Sequence, residues 1–307
     1  MMKFIMIVLA LLLPGAVYAN HQVGHGGVVE INEWNNKTQT AWEYSTAGAT
    51  IRATPPGCGS SPSGGSGISG DFTSAMGNIG PRSSSTSGGV QRYIVPTATP
   101  AITTLFYGHW ICFSVPFQFH PIGTKIHFNT NKFASGGNVN PTGRDNYVIN
   151  ANPNGNGVNV TTQINWDNCT YPNPNYATQI CTKAWYENRG HVNLTAGTWY
   201  WLETQATMNT VGNGFSSSHD GILRAWINDI LVIEYFDVVF RTTSGNHWAD
   251  LANTPILGGG GNWTINQDQY MNYDHNVIST QRIGMPGGVP VPTDVTPPTA
   301  PSDLVAQ

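Results

Sequence analysis

Hydrophobic and polar residues alternate along most of the chain, which predicts β-strands. The segment 220–240 shows this best and reads as two strands about a short Asn-Asp turn. In its first strand, one face is apolar and the other carries a cation, an indole and an amide: Leu223, Ala225 and Ile227 against Arg224, Trp226 and Asn228. Such a polar face suits a sugar, because an indole stacks on CH groups and a guanidinium binds hydroxyls or a carboxylate. An ordinary half-solvated strand with Arg224 on the surface fits the same pattern.

The same alternation, punctuated by Gly, Pro and Asn, continues through the chain, and no segment shows a convincing helical period. Further strands are predicted at 107–119 with a break near Pro116, at 123–129, 147–150, 158–166, 198–209 and 269–280. Within 123–129, alternation places Lys125, His127 and Asn129 on one face. Many strands with long loops and no internal repeat predict an all-β antiparallel sandwich, and the length favours a jelly roll.

The N-terminus reads as an export signal. Lys3 precedes a short apolar run, and small residues stand at the cleavage-site positions of Val17-Tyr18-Ala19. We therefore expect an exported protein, whether secreted, periplasmic or on the cell surface. The predicted division is a signal peptide at 1–19, a jelly-roll domain at 20–283 with Gly/Ser-rich loops at 57–90 around one or two short strands, and a Pro/Gly-rich tail or linker at 284–307.

Composition narrows the range of partners. Only 10% of residues are charged, the net charge is -4 and no basic stripe is present, which argues against nucleic acid. The N-terminal apolar run is too short to span a membrane, and no other segment is apolar enough. The chain has 10 Trp, 12 Tyr and 11 Phe beside many amides, a combination common in sugar sites. A polysaccharide is therefore the expected partner, and nothing in the sequence indicates an oligomeric state.

Four cysteines in an exported protein suggest two disulfides. Cys169 and Cys181 flank a Pro/Asn-rich loop and form the natural local pair, which leaves Cys58 for Cys112. Three pairings are formally possible, so this one is a preference. A zinc site is less favoured because no CxxC pair occurs.

Four segments carry a family resemblance: FSVPFQFHPIGTKIHFN (113–129), GTWYWLETQATMNT (197–210), DGILRAWINDILVIE (220–234) and QYMNYDHNVIST (269–280). In order and motif they resemble the concanavalin A-like jelly-roll proteins grouped with alginate and glucuronan lyases. The first resembles a Lys-bearing strand and the second a W-x-x-x-E strand with Trp199 and Glu203. The third resembles a Gly-Trp-Asp hairpin, with Ile230 where the group usually has glycine, and the fourth a closing strand with Tyr273-Asp274.

The resemblance implies a polysaccharide lyase acting on an acidic, uronate-containing glycan. β-Elimination needs donors that neutralise the uronate carboxylate and a Tyr or His that removes the C5 proton. The candidate carboxylate neutralisers are Lys125 and Arg224, and the candidate base is His127 or one of the tyrosines Tyr270 and Tyr273, whose odd spacing places them on opposite faces. The site is expected on one concave sheet that carries Lys125, His127, Arg224 and part of the closing strand. Candidate substrate-binding residues are His109, Gln118, His120, Asn129, Trp226 and Asn228. No metal is required, although calcium could serve as the neutraliser.

Two other functions remain open. A glycoside hydrolase needs two close carboxylates, and the chain has no Glu-x-Asp-x-Glu pattern, so hydrolysis ranks below elimination. A non-catalytic lectin-like or adhesin module needs only aromatics and amides, and a stacking platform could be formed by Trp110, Trp199, Trp201, Trp226, Trp248 and Trp263. For such a module, His247-Trp248 and the GGGGNWT segment (258–264) are predicted cleft-edge loops.

Overall fold

The computed structural model describes residues 28–32, 42–44, 48–64, 66–82, 86–88, 91–94, 102–133, 146–154, 157–166, 181–211, 220–241, 246–258 and 263–287. Within these ranges the regular elements are all β-strands, and every pairing is antiparallel. The described part of the chain contains no helix long and apolar enough to span a membrane.

Most strands in the described part of the chain belong to two eight-stranded sheets. The first sheet contains β1 (Val28–Asn32), β3 (Ala49–Arg52), β4 (Gly67–Phe72), β8 (Thr104–Phe113), β13 (Tyr200–Thr207), β14 (Gly221–Ile227), β15 (Ile230–Val238) and β18 (Gln269–Ser279). The second sheet contains β2 (Trp42–Tyr44), β6 (Thr86–Ser87), β7 (Gln91–Ile94), β9 (Thr124–Phe133), β10 (Asn146–Asn154), β11 (Gly157–Trp166), β12 (Cys181–Tyr186) and β16 (Asn246–Leu257). A small ribbon pairs β5 (Gly80–Arg82) with β17 (Trp263–Ile265).

The order along the first sheet is β15-β14-β13-β8-β18-β4-β3, and along the second β12-β11-β10-β9-β16-β7-β2. One continuous core lies between the sheets, filled by the inward residues of both. This arrangement confirms the predicted antiparallel sandwich. The predicted loop region 57–90 contributes three short strands, β4, β5 and β6.

The turn between β14 and β15 has the geometry that the sequence predicts. Asn228 and Asp229 both have positive φ, 49° and 63°, as a two-residue hairpin turn requires. The Asn228 Oδ1 accepts a hydrogen bond from the Trp201 backbone N–H at 2.8 Å. The turn is therefore tied to the neighbouring strand β13, and Asn228 has an architectural contact instead of a substrate-facing one.

β16 is an inner strand of the second sheet, between β9 and β7. The sequence analysis predicted no strand in its segment of the chain. The predicted cleft-edge residues His247 and Trp248 belong to this strand, and Trp248 is buried in the core, so that prediction is wrong. Pro255 interrupts the strand pattern of β16, because proline has no N–H to donate to the hydrogen-bond ladder of the sheet. Pro255 also packs so closely on the first sheet that a Cβ on Gly70 would lie 2.4 Å from its Cγ.

A β-bulge occurs in β9 beside Pro255. Ile126 is the extra residue against β10, because His127 pairs with Ile149 while Lys125 pairs with Asn150. The register against β16 shifts at the same place. Ile126 and His127 are both buried, so Lys125 lies on the other side of the sheet. The prediction that Lys125 and His127 share a face is wrong for this reason.

The outer face of the first sheet is covered by the chain that follows β18. Arg282 bonds Glu203 and Asp229, each at 2.9 Å, and the Gly284 N–H donates to Glu203 at 3.0 Å. Met285 packs with its neighbours over the indole of Trp201. The predicted domain boundary after residue 283 therefore falls inside a segment that is docked on the sandwich.

Cys58 and Cys112 form a disulfide, as predicted. It fastens the loop before β4 to β8, across 54 residues of sequence. Cys169 lies outside the described residues, as does the side chain of Cys181, and their pairing stays a prediction.

Candidate functional site

A row of side chains crosses the outer face of the second sheet. Directly paired positions carry Tyr186 on β12, Thr161 on β11, Asn150 on β10, Lys125 on β9 and Ile256 on β16. The inward neighbours of this row are core residues, so alternation turns the row away from the core. Side chains on paired strands lie about 5 Å apart at Cβ, so adjacent members of the row can act on one ligand.

The middle of the row is more enclosed than its end. Asn150 is 7% exposed and Thr161 2%, whereas Tyr186 is 58% exposed. We call the enclosed middle of the row, Lys125, Asn150 and Thr161, the polar floor, and the exposed Tyr186 lies at its edge. An amide, a hydroxyl and an amine on this floor can together bind the hydroxyls and the carboxylate of a sugar.

Lys125 supplies the titratable group of this floor. Its amine is partly buried, and this desolvation lowers the pKa of Lys125 from its ordinary value of 10.5. A lysine with a lowered pKa releases its proton more readily and can serve as a base. The paired Asn150 places a neutral amide beside it.

Asn152 extends the polar surface from the same strand, two residues beyond Asn150. Its Nδ2 donates to the Thr161 Oγ1 at 2.9 Å, which links the row to the next position on β10. The Gly123 backbone, with φ +123°, approaches the Asn152 Oδ1 so closely that a Cβ would lie 2.4 Å away. Glycine is therefore required where the chain enters β9.

The two central histidines lie in the core, away from this row. His109 and His127 are fully buried, and the His109 Nε2 is 3.2 Å from the His127 Nδ1. Burial lowers the pKa of His109 to about 3, and burial together with the neighbouring His109 lowers the pKa of His127 well below 6.5. Their expected contact with substrate is not realised, because both rings face the opposite sheet.

The two candidate tyrosines of β18 lie on opposite faces of the first sheet, as their spacing of three residues predicts. Tyr273 is buried in the core, and its hydroxyl donates to the Ile126 carbonyl oxygen at 2.8 Å. Tyr270 lies on the outer face of the first sheet, where the Arg52 guanidinium sits 5.1 Å from its ring centroid. The whole sandwich separates the Tyr270 ring from Lys125, and the second sheet separates the Tyr273 ring from it.

Arg224 and Lys125 also lie on opposite outer faces, so the predicted shared sheet is wrong. The Arg224 Nε bonds Glu234 at 2.9 Å and a terminal nitrogen bonds Gln205 at 3.0 Å. Trp226 is 7% exposed and lies under Arg282, whose guanidinium carbon is 4.1 Å from its ring centroid. Trp226 is therefore covered and does not offer an open stacking surface.

The remaining predicted binding residues lie near the β8–β9 connection or beyond the described side chains. The Gln118 Nε2 donates to the Thr264 carbonyl at 2.6 Å, so it ties the connection to β17. His120 is buried with its ring 4.4 Å from that of Trp263, and the described residues offer its Nε2 no partner. Asn129 pairs with Tyr147 and Leu251 through the backbone, and its side chain lies outside the described residues.

The tryptophans do not form the predicted stacking platform. The six candidates are distributed over the core and the outer face of the first sheet, and four of these six are almost fully buried: Trp201, Trp226, Trp248 and Trp263. Trp110 packs edge-on to Trp201 beneath Ile283 and Met285. The Trp199 Nε1 donates to the Cys58 carbonyl oxygen. These contacts stabilise the fold.

Sequence reasoning missed Asn150, Thr161 and Tyr186. Asn150 and Thr161 lie in predicted strands, but their position beside Lys125 depends on register between strands. Tyr186 lies in β12, which was not predicted. Among the described residues, no group of three or more His, Cys, Asp or Glu side chains is arranged to hold a metal ion.

Comparison with known proteins was informative at the level of three-dimensional structure. No family model and no curated protein sequence matches the chain. The alginate lyase vAL-1 from Chlorella virus is similar over 82% of this chain and 99% of its own, with 13% identity and a TM-score of 0.54. The endo-β-1,4-glucuronan lyase from the fungus Trichoderma reesei is similar over 83% of this chain and 96% of its own, with 15% identity and a TM-score of 0.50.

The chain has the jelly-roll fold of these polysaccharide lyases. At such identity the likeness establishes the fold alone, and one fold hosts many functions. The expected resemblance is confirmed at that level, and the chemistry has to be argued from the side chains.

Proposed function

We propose that this protein is a polysaccharide lyase that cleaves a uronate-containing glycan by β-elimination on the outer face of the second sheet. The observation that carries the proposal is the paired Lys125 and Asn150 on the polar floor, with the lysine amine partly desolvated. The shared fold with alginate and glucuronan lyases supports it. We further propose that the protein is exported, since its disulfide suits an oxidising compartment.

In this proposal Lys125 transfers the proton from C5 to the leaving oxygen, and the Asn150 amide binds the uronate carboxylate. The neutral amine of Lys125 takes the C5 proton, and the electrons of that C–H bond pass into the carboxylate group as an enolate. These electrons form the C4–C5 double bond as the C4–O4 bond breaks, and the leaving oxygen takes the proton from the Lys125 ammonium. The Asn150 amide donates to the uronate carboxylate and stabilises the charge that develops there.

The first test is ultraviolet absorbance of the unsaturated product during incubation with alginate, glucuronan, pectate and heparin-type glycans. Hydrolysis gives no such absorbance. We expect absorbance to rise on at least one glycan, and the rate to rise with pH as Lys125 deprotonates. A flat trace on every glycan, with binding to one retained, would reject the lyase and favour a lectin-like module.

The variant Lys125→Arg separates the two roles that a cation could have here. Arginine keeps the positive charge but does not release its proton, so a proton-transferring Lys125 predicts a loss of roughly a hundredfold or more in kcat. An arginine variant that keeps most of the rate would instead assign Lys125 to charge neutralisation.

A further inference from the structure

The bulge at Ile126 decides which face of the second sheet receives Lys125. In a regular strand, residues two apart lie on the same face, so Lys125 would follow His127 into the core. The extra residue breaks this alternation, and Ile126 and His127 both point inward. The position of the amine therefore depends on one local irregularity of β9.

A side chain from the opposite sheet bonds this irregularity. Tyr273 of β18 is fully buried, and its hydroxyl reaches across the core to the Ile126 carbonyl oxygen at 2.8 Å. The hydroxyl also lies 2.8 Å from the Met271 Sδ, but thioether sulfur is a weak acceptor. Burial, with Tyr107 nearby, raises the pKa of Tyr273 well above 10, so the hydroxyl keeps the proton that it donates.

A bulged residue departs from the regular ladder, and a buried carbonyl needs a partner. The Tyr273 hydroxyl gives the Ile126 carbonyl such a partner in this bulged geometry. Slippage of β9 into a regular register would move the carbonyl away from the hydroxyl and break that bond. The bond thus favours the register that exposes Lys125.

We propose that Tyr273 is a positioning residue whose hydroxyl holds the bulge at Ile126 and so keeps Lys125 on the outer face. For catalysis, this inference rests on the proposed function of Lys125. Tyr273 touches no substrate, and it acts through the backbone of a neighbouring strand in the other sheet.

The test compares Tyr273→Phe with Tyr147→Phe. Tyr147 is also buried, and its hydroxyl lies 3.0 Å from the Thr204 Oγ1 of the other sheet, whereas the Tyr273 hydroxyl bonds the bulge itself. Both variants remove one hydroxyl from a core hydrogen bond. We expect Tyr273→Phe to lower kcat by roughly tenfold to a hundredfold and to shift the pH at which the rate rises, with KM little changed. Tyr147→Phe should keep the rate and its pH profile.

A second readout does not require elimination. The rate at which an amine-modifying reagent labels Lys125 is followed by mass spectrometry of the peptide. We expect Tyr273→Phe to change this rate and Tyr147→Phe to leave it unchanged. Equal labelling in both variants would overturn the positioning role. Altered labelling in Tyr273→Phe, without elimination by the wild-type protein, would uphold that role and reject the proposed function.

The wild-type protein supplies a check that does not depend on the folding of any variant. The bulge predicts that Lys125 reacts with the amine reagent while His127 is protected from an imidazole reagent. Reaction of both side chains would show that they share a face, and protection of both would show that Lys125 does not lie on an open outer face; either result would overturn the inference.

Discussion

At the scale of single residues, Asn228 shows how one side chain fixes a turn. Its positive φ is unfavourable for most residues, and its Oδ1 accepts the Trp201 N–H. We expect Asn228→Ala to lower the free energy of unfolding by about 2 kcal/mol, because alanine tolerates positive φ less well and cannot accept the Trp201 hydrogen bond. Asn228→Gly keeps the backbone freedom and should lose about half as much. Urea unfolding measures both, and equal losses would contradict this division.

The same scale marks a limit of sequence reasoning. The alternation in β14 correctly separated Leu223 from Arg224, because parity within one strand is local information. Whether Arg224 could meet Lys125 depended on the sheet to which each strand belongs. That assignment is set by pairings between residues far apart in sequence, and alternation within a strand carries no record of it.

At the scale of elements, the His109–His127 pair joins β8 of one sheet to β9 of the other. Tyr107, Tyr147 and Tyr273 surround the two rings, and the Tyr107 hydroxyl bonds the side chains of Asn253 and Asn276. Among the described residues, the groups that face the two rings are neutral and offer no anion to an imidazolium. Both histidines therefore stay neutral in the folded state.

This pair predicts a loss of stability in acid. The folded pKa values lie below the unfolded value of 6.5, so the unfolded state binds more protons below that pH. The contribution of the two neutral histidines to the free energy of unfolding is fully present above pH 6.5. Below that pH it falls by up to about 1.4 kcal/mol per pH unit for each imidazole. Urea unfolding between about pH 5 and 6.5 measures the slope. His127→Gln should roughly halve it, and a flat profile in the wild-type protein would contradict the account.

Elements also show why part of the candidate site escaped prediction. The predicted strand 123–129 exists as the start of β9, yet its bulge cannot be read from its own residues. The available signal was Pro255, which lies in the neighbouring strand β16 and disturbs the ladder at the same level. Proline is also unfavourable inside a central strand, so the segment of β16 does not have a typical strand pattern. Neither β16 nor the bulge beside it was predicted.

At the scale of the whole molecule, the two outer faces of the sandwich carry different side chains. The first sheet is covered around Glu203 by the segment 282–287. Its residues Arg52 and Arg224, and Arg282 of the covering segment, are paired with carboxylates. The second sheet presents the row that contains Lys125 and Asn150. The sandwich was predictable because alternation, length and loop composition all pointed to it, whereas the choice of face depended on long-range packing.

The most direct test of the central claim compares Lys125→Met with Arg224→Met in the elimination assay. Each variant removes one cation from one outer face, so the pair identifies the face that carries the chemistry. We predict that Lys125→Met loses the rate by roughly a hundredfold or more while Arg224→Met keeps it. Loss of elimination in Arg224→Met, with activity retained in Lys125→Met, would contradict the account and place the site on the first sheet.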